Sequence, residues 1–169
     1  MRPLIALSLL LALAVAPPAF AAPIDDANAA YQRGNFAAAE KILLPIAEGG
    51  NVYAQYRLGM VYLEATGEMR SPEEAAKWFE SAALQGQPQA QYKLGILYVN
   101  GNGVSKDFVQ AYMWLSLSTR HIAGSGSEAA RQRDLIEARM SSSQLADAKK
   151  LVRNWRPVKF ETETPPPQR

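Results

Sequence analysis

The chain has 169 residues, 48% of them hydrophobic and 20% charged, with a formal net charge of +2. That length and balance suit a globular domain with its own core, and so small a net charge gives no footing for nucleic-acid binding. The chain has no cysteine, which excludes disulfides, a cysteine nucleophile and a lipid-modified cysteine.

Residues 1–21 read as a secretory signal peptide. Arg2 gives a positive start, Leu4 to Val15 is an apolar run, and Ala19-Phe20-Ala21 is a small-x-small cleavage pattern. The cut is expected between Ala21 and Ala22, which makes the mature chain a periplasmic or secreted, soluble protein of bacterial type. The apolar run falls short of the ~20 residues of a comfortable transmembrane helix.

The mature chain is expected to be all-α. Ile24 to Arg33 reads as a short helix closed by Gly34-Asn35. Phe36 to Glu48 reads as a second, with Ala39, Ile42, Leu43 and Ile46 on one face and a kink at Pro45. These form a first pair over residues 22–50. Residues 51–119 carry one sequence written twice, over 51–86 and 87–119. Ala54-Gln-Tyr-Arg-Leu-Gly-Met-Val-Tyr62 returns 36 residues later as Ala90-Gln-Tyr-Lys-Leu-Gly-Ile-Leu-Tyr98. Gly67 returns as Gly103, Ala75 as Ala111 and Trp78 as Trp114. A period of this size with helical spacing inside it marks a helical solenoid.

Asn51 is placed to cap the first helix of this array. Ser71-Pro72-Glu73-Glu74 opens the next with a serine cap, a proline at the first helical position and a capping box completed by Glu74. Asp107 and Gln110 hold the equivalent places one repeat later. Gly59, Gly95, Ala75 and Ala111 let paired helices approach closely. Leu58, Tyr62, Trp78, Leu94, Tyr98 and Trp114 fill the space between them.

After Thr119 the repeat stops. His121 to Gly126 reads as a loop, and Ser127–Met140 and Ser142–Trp155 as a helical hairpin over residues 120–156, with Leu145, Ala148, Val152 and Trp155 as its apolar stripe. A hairpin there caps the last repeat and turns a polar face outward. Residues 157–169, with three consecutive prolines, are expected to form a disordered tail.

The doubled pattern resembles the Sel-one-like repeat family, a variant of the tetratricopeptide repeat. The residues that carry it are Ala54, Leu58, Gly59, Tyr62, Gly67, Ala75, Trp78, Ala82, Ala83 and Gly86, then Ala90, Leu94, Gly95, Tyr98, Gly101, Gly103, Val104, Asp107, Ala111 and Trp114. The first copy departs from the pattern at Glu64-Ala65-Thr66 and the second at Ser118, Thr119 and Ala123-Gly124. The first pair, residues 22–50, resembles an ordinary tetratricopeptide unit. The resemblance implies an alpha-alpha superhelix of antiparallel helix pairs, right-handed, that mediates protein interactions in bacterial envelope or signalling assemblies. It implies no catalytic site; the members described as enzymes are rich in cysteine.

The residues themselves point away from catalysis. The chain has no nucleophile-elbow motif, no phosphate-binding glycine loop and no zinc-protease signature. His121 is the only histidine, so a histidine-clustered metal site is excluded, and no cofactor is expected. Helix capping and a Glu73–Lys77 pair account for the carboxylates Glu73 and Glu74. A turn that needs left-handed residues accounts for Gly101-Asn102-Gly103.

Two surfaces remain. In a tetratricopeptide-like stack the first helix of each pair lines the concave face. Tyr56, Met60, Tyr92 and Ile96 would point into it, extended by Tyr53, Gln89, Asn28 and Tyr31. The alternative is that neighbouring repeats bury these side chains as core. The second surface is Lys149, Arg153 and Arg156, spaced to share one face of the last helix and suited to an anionic partner, peripheral membrane contact included. The expected function is an envelope scaffold that binds a protein or peptide on its concave face without catalysis. An enzyme acting on envelope polymers and a purely structural envelope subunit are the alternatives.

Overall fold

The computed structural model describes residues 21–120 and 123–158, and every regular element among them is helical. Eight α-helices follow in order: α1 (Ala21–Gln32), α2 (Phe36–Glu48), α3 (Val52–Glu64), α4 (Pro72–Leu84), α5 (Pro88–Asn100), α6 (Phe108–Ser118), α7 (Ala123–Glu137) and α8 (Ser142–Asn154). Each helix from α2 to α6 packs on the one before it, and both α7 and α8 lie against α6. The result is an alpha-alpha superhelix.

Side-chain caps set the helix starts. Asn35 accepts from the Ala38 amide at 3.1 Å, Asn51 from Ala54 at 3.0 Å, and Gln87 from Ala90 at 2.6 Å. Asp107 takes both the Val109 and Gln110 amides, at 2.8 and 3.0 Å. Each satisfies an amide the helix itself leaves open, worth about 1 kcal/mol. Ser141 and Gln144 form a reciprocal capping box at the start of α8. The box expected at Ser71 is only half made. Ser71 accepts from the Glu74 amide at 3.2 Å, but its own amide goes to the Tyr62 carbonyl. That frees the Glu74 carboxylate, which pairs with Lys77 at 2.5 Å in place of the expected Glu73. α2 runs on through Pro45, which sits in its last turns, where the chain is about to leave the helix anyway.

Three linked cores run along the stack. Ala27, Ala30, Ala39, Leu43, Ala47, Ala54, Leu58 and Val61 make the first, closed on the outside by half-buried Trp78. Phe79, Leu94, Leu97, Trp114 and Leu117 anchor the second. Ala111, Tyr112, Leu115, Ala129, Ile136 and Ala148 make the third. Glycine allows the closest helix crossings. A β-carbon at Gly59 would stand 2.6 Å from the Phe79 ring, and one at Gly95 2.8 Å from Leu115. Phe79 and Leu115 hold the same register position, so the two copies solve one packing problem alike.

Two buried glutamines tie the layers in a way the hydrophobic pattern does not announce. Gln55 donates to the Ala47 carbonyl at 3.1 Å and Gln91 to the Ala83 carbonyl at 3.2 Å, each reaching the end of the preceding helix. Each of these last-turn carbonyls, left open by its own helix, also accepts from a turn glycine, Ala47 from the Gly50 amide at 3.0 Å and Ala83 from the Gly86 amide at 2.9 Å.

The end of the chain differs from expectation in two places. α7 begins at Ala123, inside the stretch read as a loop, and ends at Glu137 instead of Met140; residues 121–122 lie outside the described residues. Gly124 and Gly126 each cost about 1 kcal/mol against alanine in a helix. Seating Ala129 and Ile136 against α6 outweighs that local preference. The expected tail is also partly ordered at its start. The Val158 amide donates to the Leu84 carbonyl at 2.8 Å, and Trp155 and Pro157 lie over Gly86. Residues 159–169, like residues 1–20 of the expected signal peptide 1–21, lie outside the described residues.

Candidate interaction surface

The residues expected on the inner strip fall on α1, α3 and α5, and the structure divides them into two groups. On α1 and α3 they form a hydrogen-bonded cluster at the surface. The Tyr53 hydroxyl reaches Asn28 Oδ1 at 3.5 Å and accepts from Arg57 Nε at 3.0 Å. The Arg57 guanidinium lies over both the Tyr31 ring, at 5.3 Å, and the Tyr53 ring, at 5.4 Å. Each such contact contributes about 0.5–1 kcal/mol at an exposed site. Tyr31 donates to the Glu64 carboxylate and meets Phe36 edge-on at 5.5 Å. Burial first, then the Glu64 hydrogen bond and charge, raise the Tyr31 pKa, so its hydroxyl stays a donor at neutral pH.

The remaining members are held more tightly. Tyr56 is half-buried, with its ring 6.0 Å from that of Phe79, and burial raises its pKa. Met60 is 8% exposed and belongs to the second core, so of the two readings open for it the structure gives core. Gln89 is exposed at the start of α5. Tyr92 and Ile96 are half-buried against the third core. Burial, followed by the charge of Glu128, raises the pKa of Tyr92. Arg57 and Glu64 are the cluster members that sequence reasoning missed. Tyr53 and Arg57 are four apart on α3, a spacing that stacks side chains on one helix face, and that was the available signal.

The basic face is also regrouped. Lys149 and Arg153 are exposed on α8 and line one cleft. Arg156 leaves them. α8 ends at Asn154, so the helical spacing that would align Arg156 with Arg153 stops short of it. Its guanidinium turns back to the Arg153 and Trp155 carbonyls, at 3.0 and 2.7 Å. Among the described residues no cluster of three or more histidine, aspartate or glutamate side chains is arranged to hold a metal ion. No described helix is long and apolar enough to cross a membrane. His121 lies outside the described residues.

Stacked helix pairs, a repeated glycine crossing and a polar–aromatic face define a helical-repeat protein. The Sel1 repeat family model matches residues 52–87 and 88–121. The chain thus carries two Sel1 repeats. Among solved structures it is similar to a protective antigen with an SLR fold from uropathogenic Escherichia coli, at 28% identity and a TM-score of 0.71, over 80% of this chain and 29% of that one. A Sel1 repeat protein from Oxalobacter formigenes matches at 29% identity and a TM-score of 0.60, over 69% of this chain and 49% of that one. The chain therefore spans less than half the length of either. None of the curated proteins matches it. Sel1 repeats generally serve as protein-interaction scaffolds, and the fold is typically non-catalytic.

Proposed function

We propose that the chain is an exported scaffold that binds a protein or peptide partner on the face formed by α1, α3 and α5, and that it carries out no chemistry itself. The observation that carries this reading is the Asn28–Tyr31–Tyr53–Arg57 cluster. Tyrosine and arginine are the side chains that dominate protein interfaces, because they supply large contact area at a small loss of freedom. Here Arg57 is already held between two rings, so a partner would meet a preformed surface and little ordering would be left to offset binding. Export is supported by Arg2, the Leu4–Val15 run and Ala19-Phe20-Ala21. A cut after Ala21 would take a single residue from α1 and leave Ala27 and Ala30 in the first core.

The test is affinity capture from cell-envelope extract, comparing the parent with a Tyr53→Ala/Arg57→Ala variant whose melting shows it folded. Tyr53 is 38% exposed, so this pair can be removed with little cost to the core. A partner held by the parent should bind the variant at least about tenfold more weakly. A partner held equally by both would place the interface elsewhere and remove this reading. In the same preparation the protein's N-terminal residue should be Ala22; a chain that begins at Met1 and fractionates with the cytoplasm would end the proposal of export.

A further inference from the structure

Four cations from three separate elements converge where α6, α7 and α8 meet. Arg120 follows α6, Arg133 belongs to α7, and Lys149 and Arg153 lie on α8. Together with Tyr112, Ser116, Thr119 and Val152 they line an open cleft of about 340 Å³. Among the described residues no carboxylate lines it. Two of the cations are partly answered from outside, Arg133 by Asp134 at 2.7 Å and Lys149 by Glu137 at 3.6 Å. Arg120 gives one hydrogen bond to a described residue, the Val152 carbonyl at 3.3 Å, and has no ion pair among the described residues. Arg153 has no ion pair among the described residues.

The floor of the cleft holds a second, independent oddity. Ser116 is 8% exposed, and its hydroxyl, beside that of Tyr112, makes no hydrogen bond of good geometry among the described residues. A buried hydroxyl in that state costs the protein stability, and native structures rarely keep one without a reason. Thr119 beside it is satisfied, donating to the Ser116 carbonyl at 2.7 Å. Tyr112 on the same wall has its pKa raised, by burial first and then by the Glu137 charge, so it presents a neutral hydroxyl.

We infer that this cleft is a binding site for a small oxyanion, a phosphate or sulfate group, independent of the face proposed for a protein partner. The like charges around it repel one another when it is empty, and an anion seated among them turns that repulsion into attraction. Arginine matches the geometry of a tetrahedral oxyanion with paired donors, and among the described residues two of the four cations, Arg120 and Arg153, have no ion pair. The volume lies in the range of small-ligand sites, and the walls rise from three elements; a membrane or an acidic protein face would call instead for a flat patch.

The probes are inorganic phosphate and sulfate, titrated against chloride at matched ionic strength and read by thermal shift and calorimetry on the whole protein. Saturable stabilisation by phosphate or sulfate over chloride is expected. A Lys149→Gln/Arg153→Gln variant, both positions exposed, should lose affinity about tenfold or more, and Ser116→Ala should lose it severalfold while melting no lower than the parent. Arg156→Gln, next along the chain and outside the cleft, should bind as the parent does. Stabilisation no greater than chloride's would overturn the site. So would equal losses in Arg156→Gln and the Lys149/Arg153 variant, since that would reduce the effect to net charge. Binding to anionic vesicles that Lys149→Gln/Arg153→Gln abolishes, with none to free phosphate or sulfate, would overturn it in favour of a membrane contact.

Discussion

The two Sel1 repeats share one interior and differ at their edges. Gly59 meets Phe79 as Gly95 meets Leu115, and Gln55 reaches back to α2 as Gln91 reaches back to α4. Their outward positions part company. Tyr53 and Arg57, which build the surface cluster, are replaced in the second copy by Gln89 and Lys93. Trp78 is half-buried over the first core, whereas Trp114, one period later, is 3% exposed with α8 and Trp155 packed nearby. What repeats is the contact between neighbouring helices. What varies is set by position in the stack, because the second copy has the terminal hairpin over it and the first has another repeat. A repeat protein can therefore keep its scaffold constant and place distinct surfaces at its two ends.

The sharpest way to break the likeness is at the turn glycines. Gly67 and Gly103 are equivalent, with φ of +63° and +72°. A β-carbon at Gly67 would meet nothing within 4 Å, but one at Gly103 would stand 2.1 Å from the Pro72 carbonyl oxygen. Gly67→Ala should cost only the left-handed conformation, about 1–2 kcal/mol. Gly103→Ala adds a collision with backbone that no rotamer change relieves, and it should cost about 2 kcal/mol more. For a domain of this size the gap corresponds to a melting difference of roughly 5 °C. Equal melting temperatures for the two variants would show that the Gly103 turn does not press on the start of α4.

A smaller contrast lies in the glutamines. Gln55 has both ends engaged, since its Oε1 also accepts from Gln85 at 2.6 Å, while Gln91 Oε1 is buried with no partner among the described residues. The register position of Gln85 in the second copy is His121, outside the described residues. Gln55→Ala removes two hydrogen bonds, although the Ala47 carbonyl keeps the Gly50 amide at 3.0 Å and the Gln85 amide keeps the Gly50 carbonyl at 3.2 Å. Gln91→Ala removes one, from an Ala83 carbonyl that keeps the Gly86 amide at 2.9 Å, and with it an oxygen that was already unpaired. Chemical denaturation should find Gln55→Ala the costlier by about 1 kcal/mol. The reverse order would mean that Gln91 is the better-bonded of the two.

Most of the fold was legible because the period restates most of the buried positions. Once Leu58, Gly59 and Trp78 were seen to return as Leu94, Gly95 and Trp114, the helix pairs followed from spacing alone. The sites were less legible because they depend on which helices become neighbours. Arg57 acquires its role from Tyr31 on another helix, which no single-helix pattern reports. Lys149, Arg153 and Arg156 look like one face only if α8 continues past Asn154, and it does not. Arg120 and Arg133 join Lys149 and Arg153 across three elements, a grouping that spacing within one helix cannot show. α7 was started too late because glycine and serine spoke for a loop, while packing on α6 decided for helix.

The mildest contrast between the copies is chemical. Tyr62 and Tyr98 are equivalent, and burial is the leading cause of a raised pKa at both. Only Tyr62 adds a hydrogen bond, donated to the Glu40 carboxylate, and the charge of that same group. A phenol with its folded pKa above the ordinary value of 10.0 contributes stability that is complete below about pH 10 and is lost as pH climbs through the folded value, because there the unfolded chain has already released the proton that the fold retains. The melting temperature should thus be flat from neutral pH to about 9 and fall beyond 10. Tyr62→Phe removes the proton at issue. It should melt lower than the parent at pH 7, having lost the bond to Glu40, yet decline less steeply between pH 9 and 11. Tyr98→Phe, with no such bond to lose, should shift the neutral-pH value less and the alkaline slope less. Were the two variants to share one alkaline slope, the Tyr62–Glu40 bond would contribute nothing to the difference between the repeats, and burial alone would set both phenols.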